Sequence, residues 1–179
     1  MRILCVSWAA IGDLLLATPA IAALREAHPD AHIGLLTSPF TVPVIDGTGL
    51  VDSIYTLPRD RVFNGETLRV FRQISRDRYD IVLFFQRLTT RAGAIKYAML
   101  AYFSGAPRRI WLDNGRGWFL TDKLPDGCFG AEHQAESWLR IAGVLGASTA
   151  PRASIVAREP YPLPDAPKRI AIHAGSGEL

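Results

Sequence analysis

Cysteine is scarce here, and its placement argues against cysteine chemistry. Cys5 and Cys128 stand alone, with no metal-ligand spacing, and Cys5 falls in an apolar run where a small buried hydrophobe is expected. A disulfide framework and a zinc site are both disfavoured. No Gly-x-Gly-x-x-Gly follows the first apolar run, which counts against a dinucleotide cofactor and so against a nucleotide-dependent oxidoreductase. No Asp-x-Asp metal motif is evident, and no internal repeat or low-complexity tract interrupts the chain. The formal charge is only +3 and no nucleic-acid recognition motif accompanies it, so nucleic-acid binding is disfavoured. A membrane span from Ile3 to Leu24 would be long enough, but it carries Asp13 near its centre at a cost of about 2.5–3.5 kcal/mol. Gly12 and Pro19 weaken that span further. A signal peptide, with Arg2 ahead of the apolar run and Ala20-Ile21-Ala22 as a cleavage-like site, is a lesser alternative. The chain is read as soluble and cytoplasmic.

What is present fits one globular domain plus a short remainder. The 179 residues are 49% hydrophobic and 21% charged, enough for one good core. Positive charge is overwhelmingly arginine, which suits bidentate contact with phosphate or carboxylate. Short apolar runs alternate with helical patterns, the signature of βαβ units around a parallel sheet. Strands are expected at Ile3–Val6, His32–Thr37, Val51–Leu57, Asp80–Phe85 and Arg108–Leu112, and helices at Gly12–Ala27, Glu66–Arg76, Leu88–Phe103 and Ala131–Leu145. Gly143 and Gly146 should stop the last helix. From Ala150 to Pro167 five prolines exclude a helix and predict an extended linker, after which Lys168–His173 is again strand-like.

The most informative stretch is the first. An apolar strand runs into Ile11-Gly12-Asp13 and then into an apolar helix, so Asp13 sits at the turn. In an open α/β sheet the carboxyl ends of the strands face the ligand crevice, which presents Asp13 to a cleft. A carboxylate there can take a proton from a substrate hydroxyl. It can equally cap the helix by accepting the first-turn N–H groups, and the two roles are compatible. Arg87 and Arg91 follow the fourth strand on its cleft side and are candidates for ligand contact. Arg59, Arg61, Arg69, Arg72, Arg76 and Arg78, interspersed with Asp60, Glu66 and Asp77, read first as a solvated helix face. Their functional reading is an approach to an anionic membrane surface or to lipid phosphates. His133 and Glu136 share a helix face but lack a third ligand, so a solvated or capping role outweighs a metal pair. The terminal Ala174-Gly175-Ser176-Gly177 is a flexible end or a turn presenting N–H groups to a phosphate.

The opening resembles glycosyltransferase family 9, the ADP-heptose:lipopolysaccharide heptosyltransferase family. The residues that carry the likeness are Gly12-Asp13-Leu14-Leu15, Thr18-Pro19-Ala20 and Ala27-His28-Pro29. Supporting matches are Arg78-Tyr79-Asp80, Gln86, Gly105-Ala106-Pro107, Glu132-His133 with Glu136, and Ile172-His173-Ala174-Gly175-Ser176. Ser7, Phe84 and Arg87 depart from residues common in the family, which opens the question of acceptor specificity, since those positions are expected to border the cleft.

The resemblance implies a fold and a reaction. The fold would be α/β, a Rossmann-like, mainly parallel sheet flanked by helices, forming the N-terminal half of a GT-B protein. Residues 1–149 would be the acceptor-binding domain, 150–167 the linker, and 168–179 the first strand and turn of an otherwise missing donor-binding domain. The reaction would move a sugar, a heptose, from a nucleotide diphosphate to a lipopolysaccharide inner-core acceptor, without a metal and without a cofactor, ADP-heptose being a substrate. Asp13 would be the general base. Gly12, Gln86, Arg87 and Arg91 would contact the acceptor, and Gly175 and Ser176 the donor phosphates. The enzyme would work in the cytoplasm, in peripheral contact with the inner membrane, and the chain alone would be inactive. The alternative is a non-catalytic acceptor-binding or scaffold domain.

Overall fold

The computed structural model describes residues 1–58, 65–127 and 130–150. Six strands form one sheet: β1 (Arg2–Ser7), β2 (His32–Thr37), β3 (Ser53–Thr56), β4 (Ile81–Phe84), β5 (Arg108–Asp113) and β6 (Asp122–Pro125). Their order is β3-β2-β1-β4-β5-β6, and every pairing is parallel. The helices are α1 (Ile11–Ala27), the short α2 (Val42–Ile45) behind a 3-10 turn at Pro39–Thr41, α3 (Gly65–Arg76), α4 (Arg91–Phe103) and α5 (Gln134–Gly143). This is the Rossmann-like α/β class expected from the sequence.

The apolar runs explain the arrangement. Ile3, Leu4, Cys5 and Val6 in β1, and Val82, Leu83 and Phe84 in β4, are fully buried, as strands covered on both faces must be. The two strands lie side by side at the centre, Cys5 opposite Leu83. Right-handed crossovers place α1 and α4 on opposite faces, because β1 to β2 and β4 to β5 step in opposite directions. Accordingly α1 packs on α5, and α3 on α4. Burial pushes the Cys5 thiol up to about 12, the behaviour of an inert core residue.

Pro19 lies inside α1 and cannot donate to the Leu15 carbonyl. The buried Thr18 hydroxyl donates to that carbonyl instead, at 2.8 Å, so the helix continues with its acceptor satisfied. Three expectations are revised. Residues 88–90 precede α4 rather than open it, because the Thr90 hydroxyl accepts the Gly93 N–H at 3.0 Å and fixes the start at Arg91. α5 begins at Gln134, where His133 caps it by accepting the Ala135 N–H through Nδ1 at 3.2 Å, and Glu136 accepts the His133 N–H at 3.3 Å. Strand β6, with its sequence Asp-Lys-Leu-Pro, carried no apolar signal. It is a half-exposed edge strand whose terminal proline is tolerated there. The described chain does not include residues 151–179, so nearly all of the expected linker and the strand after it lie outside the described residues, as do Arg59, Arg61 and Cys128.

Candidate functional site

The chain leaves β1 toward β2 on one side and later returns to place β4 on the other. The point between β1 and β4 is therefore the topological switch, where open α/β sheets bind ligands. A cleft of about 340 Å³ opens there. Trp8 and Ala9 line it from the end of β1, Asp13 from α1, Gln86 and Arg87 from the end of β4, Lys96 and Tyr97 from α4, and Gln134 from α5.

Asp13 is half-buried in the first turn of α1, three residues after the capping position held by Ala10. One carboxylate oxygen accepts the Ala10 N–H at 3.1 Å, and the other accepts Gln134 Nε2 at 3.3 Å. The side chain thus closes the helix end, from the third helical position rather than the capping one, while lining the cleft. Capping and cleft exposure coexist in one residue. The carboxylate is held from both sides in a fixed orientation, which is what a proton acceptor in a cleft needs.

Gln86 is built into the sheet end. Its Oε1 accepts the Trp8 N–H at 3.0 Å and its own carbonyl accepts the Trp111 indole N–H. Its Nε2 is buried and has no partner among the described residues, an amide donor available to an acceptor in the cleft. The Trp8 indole donates to the Leu57 carbonyl at 2.7 Å, which locks the ring, and Lys96 Nζ sits 3.3 Å from its centroid. An ammonium and an aromatic face therefore form one wall.

Arg87 borders the cleft, but its guanidinium is engaged. It pairs with Asp126 in an ion pair whose side chains are 6% and 3% exposed, and donates to Ser137 Oγ at 3.2 Å. It ties the end of β4 to the ends of β6 and α5, a structural role more than a ligand contact. Arg91 is outside this cleft, in a separate hollow with Gly115, Arg116 and Trp118. Gly12 is exposed beside Asp13, not in the cleft wall, and among the described residues nothing beyond its own turn of helix stands within 4 Å of where a Cβ would be. Of the three positions expected to border the cleft, only Arg87 does. Ser7 and Phe84 are fully buried, Phe84 stacked on Trp111 at 4.5 Å between centroids. Gly175 and Ser176 lie outside the described residues. Trp8, Lys96, Tyr97 and Gln134 were not singled out from the sequence. Lys96 had a weak signal, a lysine in a chain whose cations are nearly all arginine. Among the described residues no group of three His, Cys, Asp or Glu side chains could hold a metal ion, and no helix is long and apolar enough to cross a membrane.

No family model matches the chain. Lipopolysaccharide heptosyltransferase 3 of Escherichia coli K12 is 28% identical over 78 residues, 40% of this chain and 22% of that protein. Among solved structures, a family 9 glycosyl transferase from Veillonella parvula superposes with a TM-score of 0.66 at 19% identity, over 83% of this chain and 42% of that one. The E. coli heptosyltransferase WaaC with ADP gives 0.66 at 18% identity, over 84% and 48%, and the same enzyme with ADP-2-deoxy-2-fluoro heptose gives 0.68 at 16%, over 86% and 51%. The chain resembles family 9 heptosyltransferases. At such identities the structural likeness is one of fold, and the chain spans about half the length of these solved relatives and a smaller share of the curated one.

Proposed function

We propose that this domain is the acceptor side of a metal-independent GT-B glycosyltransferase, moving a heptose from ADP-heptose to a hydroxyl of a lipopolysaccharide inner-core acceptor, with Asp13 as general base. One observation carries the reading: a carboxylate fixed by Ala10 and Gln134 lines a cleft at the switch point of the sheet. The acceptor oxygen forms its bond to the anomeric carbon while the bond from that carbon to the diphosphate oxygen breaks. The nucleotide diphosphate leaves with the electron pair, and the hydroxyl proton passes to Asp13. Gln86 Nε2 and Lys96 supply an amide donor and a cation for acceptor oxygens, and Trp8 a flat wall against the sugar. Residues 1–149 are the acceptor-binding domain in this reading, 150–167 the linker, and the turn at Gly175 and Ser176 the start of the donor-binding half. The site of action is the cytoplasm, at the inner face of the membrane where a lipid-linked acceptor is presented.

The test is Asp13→Asn in protein carrying both halves. Asparagine keeps an oxygen for the Ala10 N–H but no base, so transfer should fall roughly 10²–10⁴-fold. The melting temperature should move little, since the charge–dipole contribution at a helix start is only about 0.3–1 kcal/mol. Near-normal turnover would reduce Asp13 to a cap, whereas no turnover by the unsubstituted protein carrying both halves would favour a non-catalytic acceptor-binding domain.

A further inference from the structure

The outer side of α4 differs from the rest of the surface. Ile95, Tyr102 and Phe103 of α4 and Trp118 of the β5–β6 connection are 57%, 54%, 45% and 62% exposed. With Met99 they form an apolar groove of about 330 Å³, Tyr102 and Trp118 facing each other at 6.4 Å between centroids. A contiguous exposed patch of large apolar side chains marks a binding surface. Its surroundings are positive. Arg91 and Arg116 line the adjoining hollow, which shares Ile95 and Trp118 with the groove. The Arg109 guanidinium lies 5.2 Å from the Tyr102 ring centroid. None of these three arginines pairs with a carboxylate among the described residues, whereas Arg25, Arg87, Arg108 and Arg140 all do. Among the described residues no acidic side chain lines either hollow. α3, which packs on α4, carries exposed Arg69, Arg72 and Arg76 and one exposed acid, Glu66.

We propose that this face docks on an anionic lipid bilayer. Tryptophan and tyrosine settle at the headgroup level, with their apolar bodies toward the acyl chains and their polar edges in water. Arginines around them meet the negative surface potential of the leaflet. A second copy of the chain fits worse, because a two-fold contact would set the same unneutralised arginines against each other. The helix links this surface to the cleft. Gly93, Lys96 and Tyr97 face the Asp13 cleft, while Arg91, Ile95 and Tyr102 face the patch. Docking thus sets the cleft mouth beside the headgroups, where a lipid-linked acceptor would be met. This consequence rests on the transfer reading, whereas the evidence for docking does not.

The experiment is co-sedimentation of the 179-residue chain with phosphatidylcholine vesicles, with and without phosphatidylglycerol, together with tryptophan quenching by brominated acyl chains. Trp8, Trp111 and Trp138 are buried, so quenching reports Trp118. Binding is expected only when phosphatidylglycerol is present, with quenching, and it should weaken as salt is raised. Trp118→Ala should weaken it roughly tenfold. Arg91→Gln with Arg116→Gln should weaken it roughly 10–30-fold, about fivefold for each basic residue removed near the surface. Unchanged far-UV circular dichroism checks the fold of these variants. No binding, or equal binding to neutral vesicles without quenching, overturns the proposal. Self-association that Trp118→Ala abolishes, without vesicle binding, overturns it in favour of a second copy. The assay contains neither donor nor acceptor, so its failure leaves the Asp13 reading standing, and loss of that reading leaves a positive vesicle result intact.

Discussion

Gly34 shows how a single residue is fixed by its neighbours. It lies in β2, where a Cβ would overlap the Tyr79 hydroxyl and stand 2.8 Å from the Tyr79 ring carbon bearing it. The tyrosine cannot easily give way. Its hydroxyl donates to the Tyr55 hydroxyl at 2.7 Å, which donates to Asp77, and burial pushes the Tyr79 phenol up to about 12. Gly34→Ala should therefore cost about 1–3 kcal/mol, read as a lower melting temperature. Adding Tyr79→Phe should recover only part of the loss, because the ring carbon still crowds the methyl group. A fully stable Gly34→Ala would mean that the strand shifts freely. Asp13, unlike Gly34, was legible from the sequence, because a carboxylate at a strand-to-helix turn has a place in an α/β sheet whatever the remaining sequence is. Trp8 and Gln134 were not. Their roles depend on which chain segments meet, Trp8 with Gln86 from β4 and Gln134 with Asp13 from α1.

Among the elements, those with a strong apolar period or run were the legible ones. The strands at the centre of the sheet and helices α1 and α3 fall within a residue or two of expectation, since burial on both faces or on one stripe writes itself into composition. β6 was hidden because an edge strand needs no apolar run. The ends of α4 and α5 were misplaced because the residues that set them, Thr90 and His133, act through single hydrogen bonds. The start of α5 also carries a pH dependence. Glu132 accepts the Ser137 hydroxyl and the Arg140 guanidinium, each at 2.6 Å, and these bonds hold its carboxyl below the ordinary 4.5. The folded state then binds fewer protons than the unfolded one, so the contribution is full above 4.5 and is lost as pH falls through the lowered native value. Glu132→Gln should melt lower than the parent at neutral pH, and the two curves should converge as pH falls below 4.5 and through the lowered native value. Asp122, held low by Arg108, should leave both proteins some acid sensitivity. A constant gap between the curves at every pH would remove Glu132 as the titrating group.

At the scale of the molecule, the transfer reading makes the described fold one wall of a clamp. The cleft opens at the carboxyl ends of β1 and β4, with Asp13, Gln86 and Lys96 on that wall, and the turn read as contacting the donor lies beyond the described residues. On the transfer reading the polar groups suit an acceptor: one carboxylate held in place, one amide without a partner among the described residues and one ammonium beside an indole. Holding two reactants in line can supply about 7–11 kcal/mol of a barrier reduction, which on this reading needs the donor-binding half as well. The purified 179-residue chain, given ADP-heptose and a soluble inner-core acceptor, should therefore show no turnover above the uncatalysed background. It should still bind that acceptor, with affinity reduced by Lys96→Gln and little changed by Asp13→Asn, because a base acts mainly in the transition state and a cation in the ground state as well. Calorimetry with the acceptor and a product assay on the same sample separate the two functions. Robust turnover by this chain would show that the donor site is already complete within it, and acceptor binding that ignores Lys96 would move the acceptor out of the cleft.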